Sequence, residues 1–141
     1  DLRTNYIGTA DPNAPFGTRC KHGAAECLGN IQQLCTRAHY PSPSQWFNFI
    51  LCENRNWRSI PDAHLGASCA AKFGIDYDVV RGCMDGDEGV QLLAESVAAT
   101  KAAGAGRSCT IFIDGKKRCI HDGDWDECDA GHSVADFVRD I

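Results

Sequence analysis

Nine cysteines, at positions 20, 27, 35, 52, 69, 83, 109, 119 and 128, constrain this 141-residue chain more than any other feature. They are spread along the whole chain. Zinc ribbons and fingers repeat close Cys-x-x-Cys pairs, and no two cysteines here have that spacing. A dispersed set in an acidic chain is expected to form a disulfide framework matured in an oxidising compartment. Nine is odd, so one thiol is left free or bonded to another chain. Spacing alone leaves the connectivity open.

The length suits a single domain over residues 1–141, large enough to bury about 68–70% of the surface an unfolded chain exposes. The net charge is −5, and the densest basic run is only Lys116-Lys117-Arg118. That balance argues against a nucleic-acid partner, which needs a contiguous basic face. No apolar stretch approaches the roughly 18 residues of a membrane span. Asp1 opens no signal-peptide pattern, as expected of a processed chain.

Along the chain, residues 2–7 alternate in character and are expected as a strand. Residues 8–17, with Pro12 and Pro15, read as a loop. Between residues 24 and 38, Cys27, Leu28, Ile31, Leu34 and Cys35 recur at helical spacing. Trp46, Phe47, Phe49, Ile50 and Leu51 predict a short buried helix after Pro41 and Pro43. Asp62 is placed to cap a helix running toward Phe73. Residues 76–83 read as another short helix, and Asp87 as the cap of a longer one through Ala103. Residues 110–113 predict a strand, Asp114-Gly115 a tight turn and residues 116–120 the returning strand. Ser133 is expected to cap a last helix with Val134, Phe137, Val138 and Ile141 facing inward.

Two clusters invite chemical readings. His22 lies between Cys20 and Glu26, but a loop closed by hydrogen bonds at a helix start, where a carboxylate is favourable, accounts for both side chains. The acidic stretch from Asp122 to Glu127 resembles a calcium loop. Such a loop needs Gly at its sixth position and Glu at its twelfth, where this chain has Glu127 and Ser133. A solvated loop closed by a Cys119–Cys128 disulfide is the expected structure. No metal site and no cofactor are expected.

One segment is far more specific. Cys20-Lys21-His22-Gly23, two residues, Glu26-Cys27, two residues, Asn30, four residues, Cys35 resembles the signature of the gamma-interferon-inducible lysosomal thiol reductase family. Cys20, His22, Gly23, Glu26, Cys27, Asn30 and Cys35 match it, and Lys21 stands in place of the usual Gln. Residues 82–93 and the stretch Ile111-Phe112-Ile113-Asp114-Gly115 are similar to two further family segments, so the resemblance spans nearly the whole chain.

The resemblance implies an α/β, thioredoxin-like fold with a disulfide-stapled helical insert. It also exposes two departures. The family's redox Cys-x-x-Cys lies upstream of the strand expected at residues 2–7, so the first strand, the catalytic helix and its cysteines are absent from these 141 residues. That chemistry uses a thiolate of lowered pKa and a second, resolving cysteine. Related thioredoxin-fold enzymes also place a cis-proline before the strand at residues 110–113, where this chain has Ser108-Cys109. Cis bonds are essentially a proline property, so a remodelled edge is expected there.

These readings predict a secreted or lysosomal domain without redox catalysis and without catalytic residues of its own. It would act as an accessory or structural subunit of a larger secreted protein, with the signature residues in structural roles. Either a protein partner or a cleaved N-terminal chain would complete the sheet, and Cys109 is the candidate free or interchain thiol. The alternative is a processed thiol reductase whose Cys-x-x-Cys lies on another segment, acting on protein disulfides in an acidic compartment. A secreted effector or toxin scaffold is a third reading.

Overall fold

A computed structural model describes residues 1–141. The chain is mixed helix and sheet, with six α-helices and two small antiparallel sheets. It divides into two units, Asp1–Val97 and Ala98–Ile141.

In the first unit, β1 (Thr9–Ala10) pairs antiparallel with β2 (Thr18–Arg19) across a 3-10 turn at Pro15–Gly17. Helices α1 (Ala24–His39), α2 (Pro43–Asn54), α3 (Ala63–Lys72) and α4 (Tyr77–Met84) follow. α5 (Asp87–Ala102) begins in this unit and runs into the next. The local chemistry explains the boundaries. Pro43 opens α2 where its missing N–H is harmless. Asp62 accepts from Leu65 N at 3.0 Å to cap α3, and Asp76 accepts from Asp78 N at 3.0 Å to cap α4. α1 is buried on nearly every face from Gly29 to Thr36, as befits the central helix of a bundle. Around it Trp46, Phe49, Val80 and Leu93 are fully buried.

The strand expected at residues 2–7 does not form. A strand needs a neighbour for its ladder, and side chains hold this segment instead. Tyr6 N donates to Ser96 Oγ at 2.9 Å, the Tyr6 hydroxyl donates to Gln33 Oε1 at 2.6 Å, and the Arg37 guanidinium donates to the Thr4 carbonyl.

The second unit carries β3 (Thr110–Ile113), β4 (Lys116–Asp122), β5 (Asp124–Asp126) and α6 (Val134–Asp140), the strands ordered β3-β4-β5. The hairpin turn has Asp114 at φ 48° and Gly115 at φ 73°. Two positive φ values make a type I′ turn, whose twist suits the flanking strands. The acidic stretch expected as a loop is instead the β4–β5 hairpin, with His121 opposite Trp125. Arg107 binds Asp126 at 2.6 Å and lies near Asp122, which offsets repulsion between the two strands' carboxylates.

Ser133 caps α6 reciprocally with Asp136. The inward face expected for this helix is not observed: Val134, Val138 and Ile141 are 81%, 68% and 92% exposed. Arg118 is the reason. Its Nε donates to Asp140 Oδ2 at 2.7 Å and its guanidinium lies 4.9 Å from the Phe137 ring, so α6 is seated on the Phe137 and Asp140 side.

Candidate functional site

The signature segment folds around the start of α1. Cys20 and Cys27 form a disulfide, closing a seven-residue separation. Within that loop His22 N and His22 Nδ1 meet Glu26 Oε2 at 2.5 and 3.0 Å. Gly23, the residue before the helix, has φ 91° and ψ −169°, a conformation open only to glycine. The Asn30 amide points its Nδ2 at the Cys20 sulfur, 3.8 Å away. Cys35, at the far end of the signature, is joined to Cys83 on α4, and Cys52 on α2 is joined to Cys69 on α3. Cys20, Cys27, Cys35, Cys69 and Cys83 are buried to 5% exposure or less. This arrangement can staple four helical elements; its sulfurs are oxidised, and His22 and Glu26 serve one another.

His39 Nε2 and Glu88 Oε2 lie 3.1 Å apart near the Cys83 sulfur. Since that sulfur is bonded to Cys35, only two groups there could ligate a metal.

Sequence reasoning missed a polar chain inside the same unit. Glu53 is fully buried, and its Oε2 accepts from Gln33 Nε2 at 3.2 Å while its Oε1 has no partner. Burial pushes the carboxyl up from 4.5 to about 7, the Gln33 hydrogen bond partly opposing. The signal was present: Trp46, Phe49, Ile50 and Glu53 share a helical spacing and all are buried, so Glu53 continues an apolar stripe. The same chain reaches Tyr6, whose phenol burial also drives upward.

In the second unit Cys119 and Cys128 form a disulfide, and Cys109 is free and exposed. Cys109 N donates to the His121 carbonyl at 2.6 Å, and His121 N donates back at 2.9 Å. The Ser108–Cys109 bond is cis, and the exchanged pair with His121 fixes the backbone just after it. Beside that pair His121 and His132 flank Trp125, their ring centroids 4.5 and 5.2 Å from it.

The family model described as gamma interferon inducible lysosomal thiol reductase (GILT) matches residues 1–73, just over half of the 141 residues. The chain belongs to the GILT family. The match takes in the whole Cys20–Cys35 signature of this GILT chain and the helices through α3; residues 82–93 and 111–115, which also resemble the family, lie beyond it. No curated protein and no solved structure matches the chain. Membership makes this a disulfide-rich, thiol-reductase-related protein. Four disulfides and that membership are consistent with a secretory-pathway location. No helix is long and apolar enough to cross a membrane.

Proposed function

We propose that residues 1–141 form a GILT-like domain that performs no redox catalysis alone and serves as an accessory or structural part of a secreted or lysosomal protein. The observation that carries this reading is the fate of the cysteines. Eight of nine are paired in disulfides, and Cys109 is the one free thiol. Dithiol exchange needs an attacking thiolate and a second thiol to resolve the mixed disulfide. The one free thiol can form a mixed disulfide but has no second free thiol in these residues to resolve it. The signature residues act here as scaffold: Cys20–Cys27 fixes the loop before α1, Gly23 makes its turn, and Cys35–Cys83 ties α1 to α4.

A second reading is favoured by the sheet of the second unit. β3 pairs only with β4, and its Thr-Ile-Phe-Ile sequence is half-buried throughout. An apolar strand with an unpaired edge suits the addition of another strand. In a thioredoxin-like assembly that strand would come from the segment bearing the Cys-x-x-Cys, making this chain part of a processed thiol reductase.

The test is the intact mass of the native protein with and without reductant, joined to a disulfide-reductase assay on the chain alone. A non-reduced mass near 15.3 kDa and no turnover are expected of the non-catalytic domain. Release of a Cys-x-x-Cys peptide on reduction would establish the second reading, and catalytic turnover by residues 1–141 would overturn the first.

A further inference from the structure

The buried carboxyl of Glu53 is unusual for what surrounds it. It is fully buried, belongs to no ion pair, and has a single neutral hydrogen-bond donor for its two oxygens. An ionised carboxylate in such a place is strongly disfavoured and takes up a proton instead.

The charged and titratable groups on the elements around it have partners of their own or lie exposed. His64 of α3 is exposed, Arg81 pairs with Asp78 on α4, and on α1 Glu26 pairs with His22 and His39 with Glu88. On α1, Arg37 turns its guanidinium to the Thr4 carbonyl and lies 6.0 Å from the Trp46 ring. On α3, Lys72 reaches the Cys52 sulfur at 3.8 Å, and Asp62 accepts from the backbone of its own helix. On α4, Tyr77 accepts from Gln32 Nε2 at 2.8 Å. In the N-terminal segment, Tyr6 donates to Gln33 Oε1, the other end of the amide that serves Glu53. A chain Tyr6–Gln33–Glu53 therefore links the N-terminal segment, α1 and α2, with no cation in it.

We propose that Glu53 is a proton-operated latch of the helical unit, neutral and firmly held in acid surroundings and ionised, with loosening of the α1–α2 seam, on transfer to neutral or alkaline ones. Protonation turns the partnerless Oε1 from an orphan acceptor into a hydroxyl. Ionisation leaves a bare charge on the buried face of α2 that also carries Trp46 and Phe49. Glu53 follows Cys52 directly in the chain and Gln33 lies two residues before Cys35, yet neither bridge crosses the α1–α2 seam. Cys52–Cys69 ties α2 to α3 and Cys35–Cys83 ties α1 to α4, so the seam itself has no covalent clamp.

The direction follows from linkage. The folded carboxyl is raised above its unfolded value of 4.5, to about 7. Stability from this group is fully present below 4.5 and is lost as pH rises through about 7.

The experiment measures the unfolding equilibrium of the fully disulfide-bonded chain as a function of pH, beside Glu53→Gln. The amide keeps the shape and cannot ionise. The difference between the two proteins isolates Glu53 from every group they share. The unfolding constant of the wild type relative to the variant is expected to rise about tenfold per pH unit between 4.5 and about 7. A constant ratio overturns the latch. Should the variant fail to fold, carboxyl carbon NMR on the wild type decides instead: a Glu53 midpoint near 7 supports the proposal, and one near 4.5 overturns it.

Discussion

At the scale of single residues, close packing decides more than intrinsic preference. Gly89 lies inside α5, where alanine would ordinarily be favoured by about 1 kcal/mol. A Cβ there would stand 2.7 Å from Ile31 Cγ2 and 2.8 Å from the Cys83 carbonyl oxygen. The carbonyl belongs to a helix tied by disulfide to α1, so it cannot simply yield. The overpacking penalty of about 1–3 kcal/mol should therefore exceed the propensity gain. Gly89→Ala is predicted to lower stability, read as a reduced urea midpoint at unchanged slope; an increased midpoint would show that the Cys83 carbonyl can move aside. Other residues told their role in advance. Asp62 and Ser133, expected as caps, stand where the chain enters a helix, and each side chain accepts a backbone N–H; Asp76, expected as the first residue of its helix, caps it in the same way. Such roles are legible because they depend on neighbours in sequence. Glu53 was not, because a carboxylate on an apolar stripe can be read as a solvated helix end, and only the placing of α1 against α2 buries it.

Elements were legible to the extent that they are self-sufficient. Helices α1 to α5 and the β3–β4 hairpin follow from periodicity, caps and an Asp-Gly turn. Residues 2–7 have the composition of a strand, but pairing is a property of two segments, and this one found side chains instead. β5 was hidden for the converse reason: Asp-Trp-Asp has poor strand character, and Arg107 stabilises it from outside the hairpin. The valines of α6 mark an apolar stripe, yet Arg118 decides which side is seated. The disulfides act at this scale too. Cys35–Cys83 closes a separation of 48 residues and Cys20–Cys27 one of 7. In the chain-entropy account the longer loop restricts the unfolded state more, for a total of about 4 kcal/mol against about 2.4 kcal/mol. Replacing both cysteines of each pair by serine is predicted to destabilise the first unit more for Cys35–Cys83, by about 1.7 kcal/mol in denaturant unfolding. Equal losses would mean that the signature loop carries strength beyond its closure entropy.

On the scale of the whole molecule, the two units have titrating groups of opposite sign. In the first, Glu53 is raised above its ordinary value by burial, so stability declines as pH climbs from 4.5 through about 7. In the second, three carboxylates are lowered. Hydrogen bonds from Ser133 take Asp136 down to about 2, Arg107 lowers Asp126, and Arg118 lowers Asp140. Groups depressed in the folded state contribute stability that is present above the unfolded value of 3.8 and lost as pH falls through their folded values. All three are surface carboxylates, and salt screens such pairs, so their effect should shrink at high ionic strength while that of Glu53 persists. Amide exchange, corrected for its intrinsic pH dependence, should then separate the units. Protection in α1 and α2 is predicted to be greatest in acid and to fall above pH 4.5, while protection in α6 falls below pH 3.8. Both units are fully braced only in a mildly acid interval between those values, the condition in which a disulfide-stapled domain proposed for an acidic secretory compartment would have to persist. If α1, α2 and α6 instead lost protection together at one end of the scale, the opposing signs assigned to Glu53 and Asp136 would be wrong, and the acid tolerance of the chain would rest on its four disulfides alone.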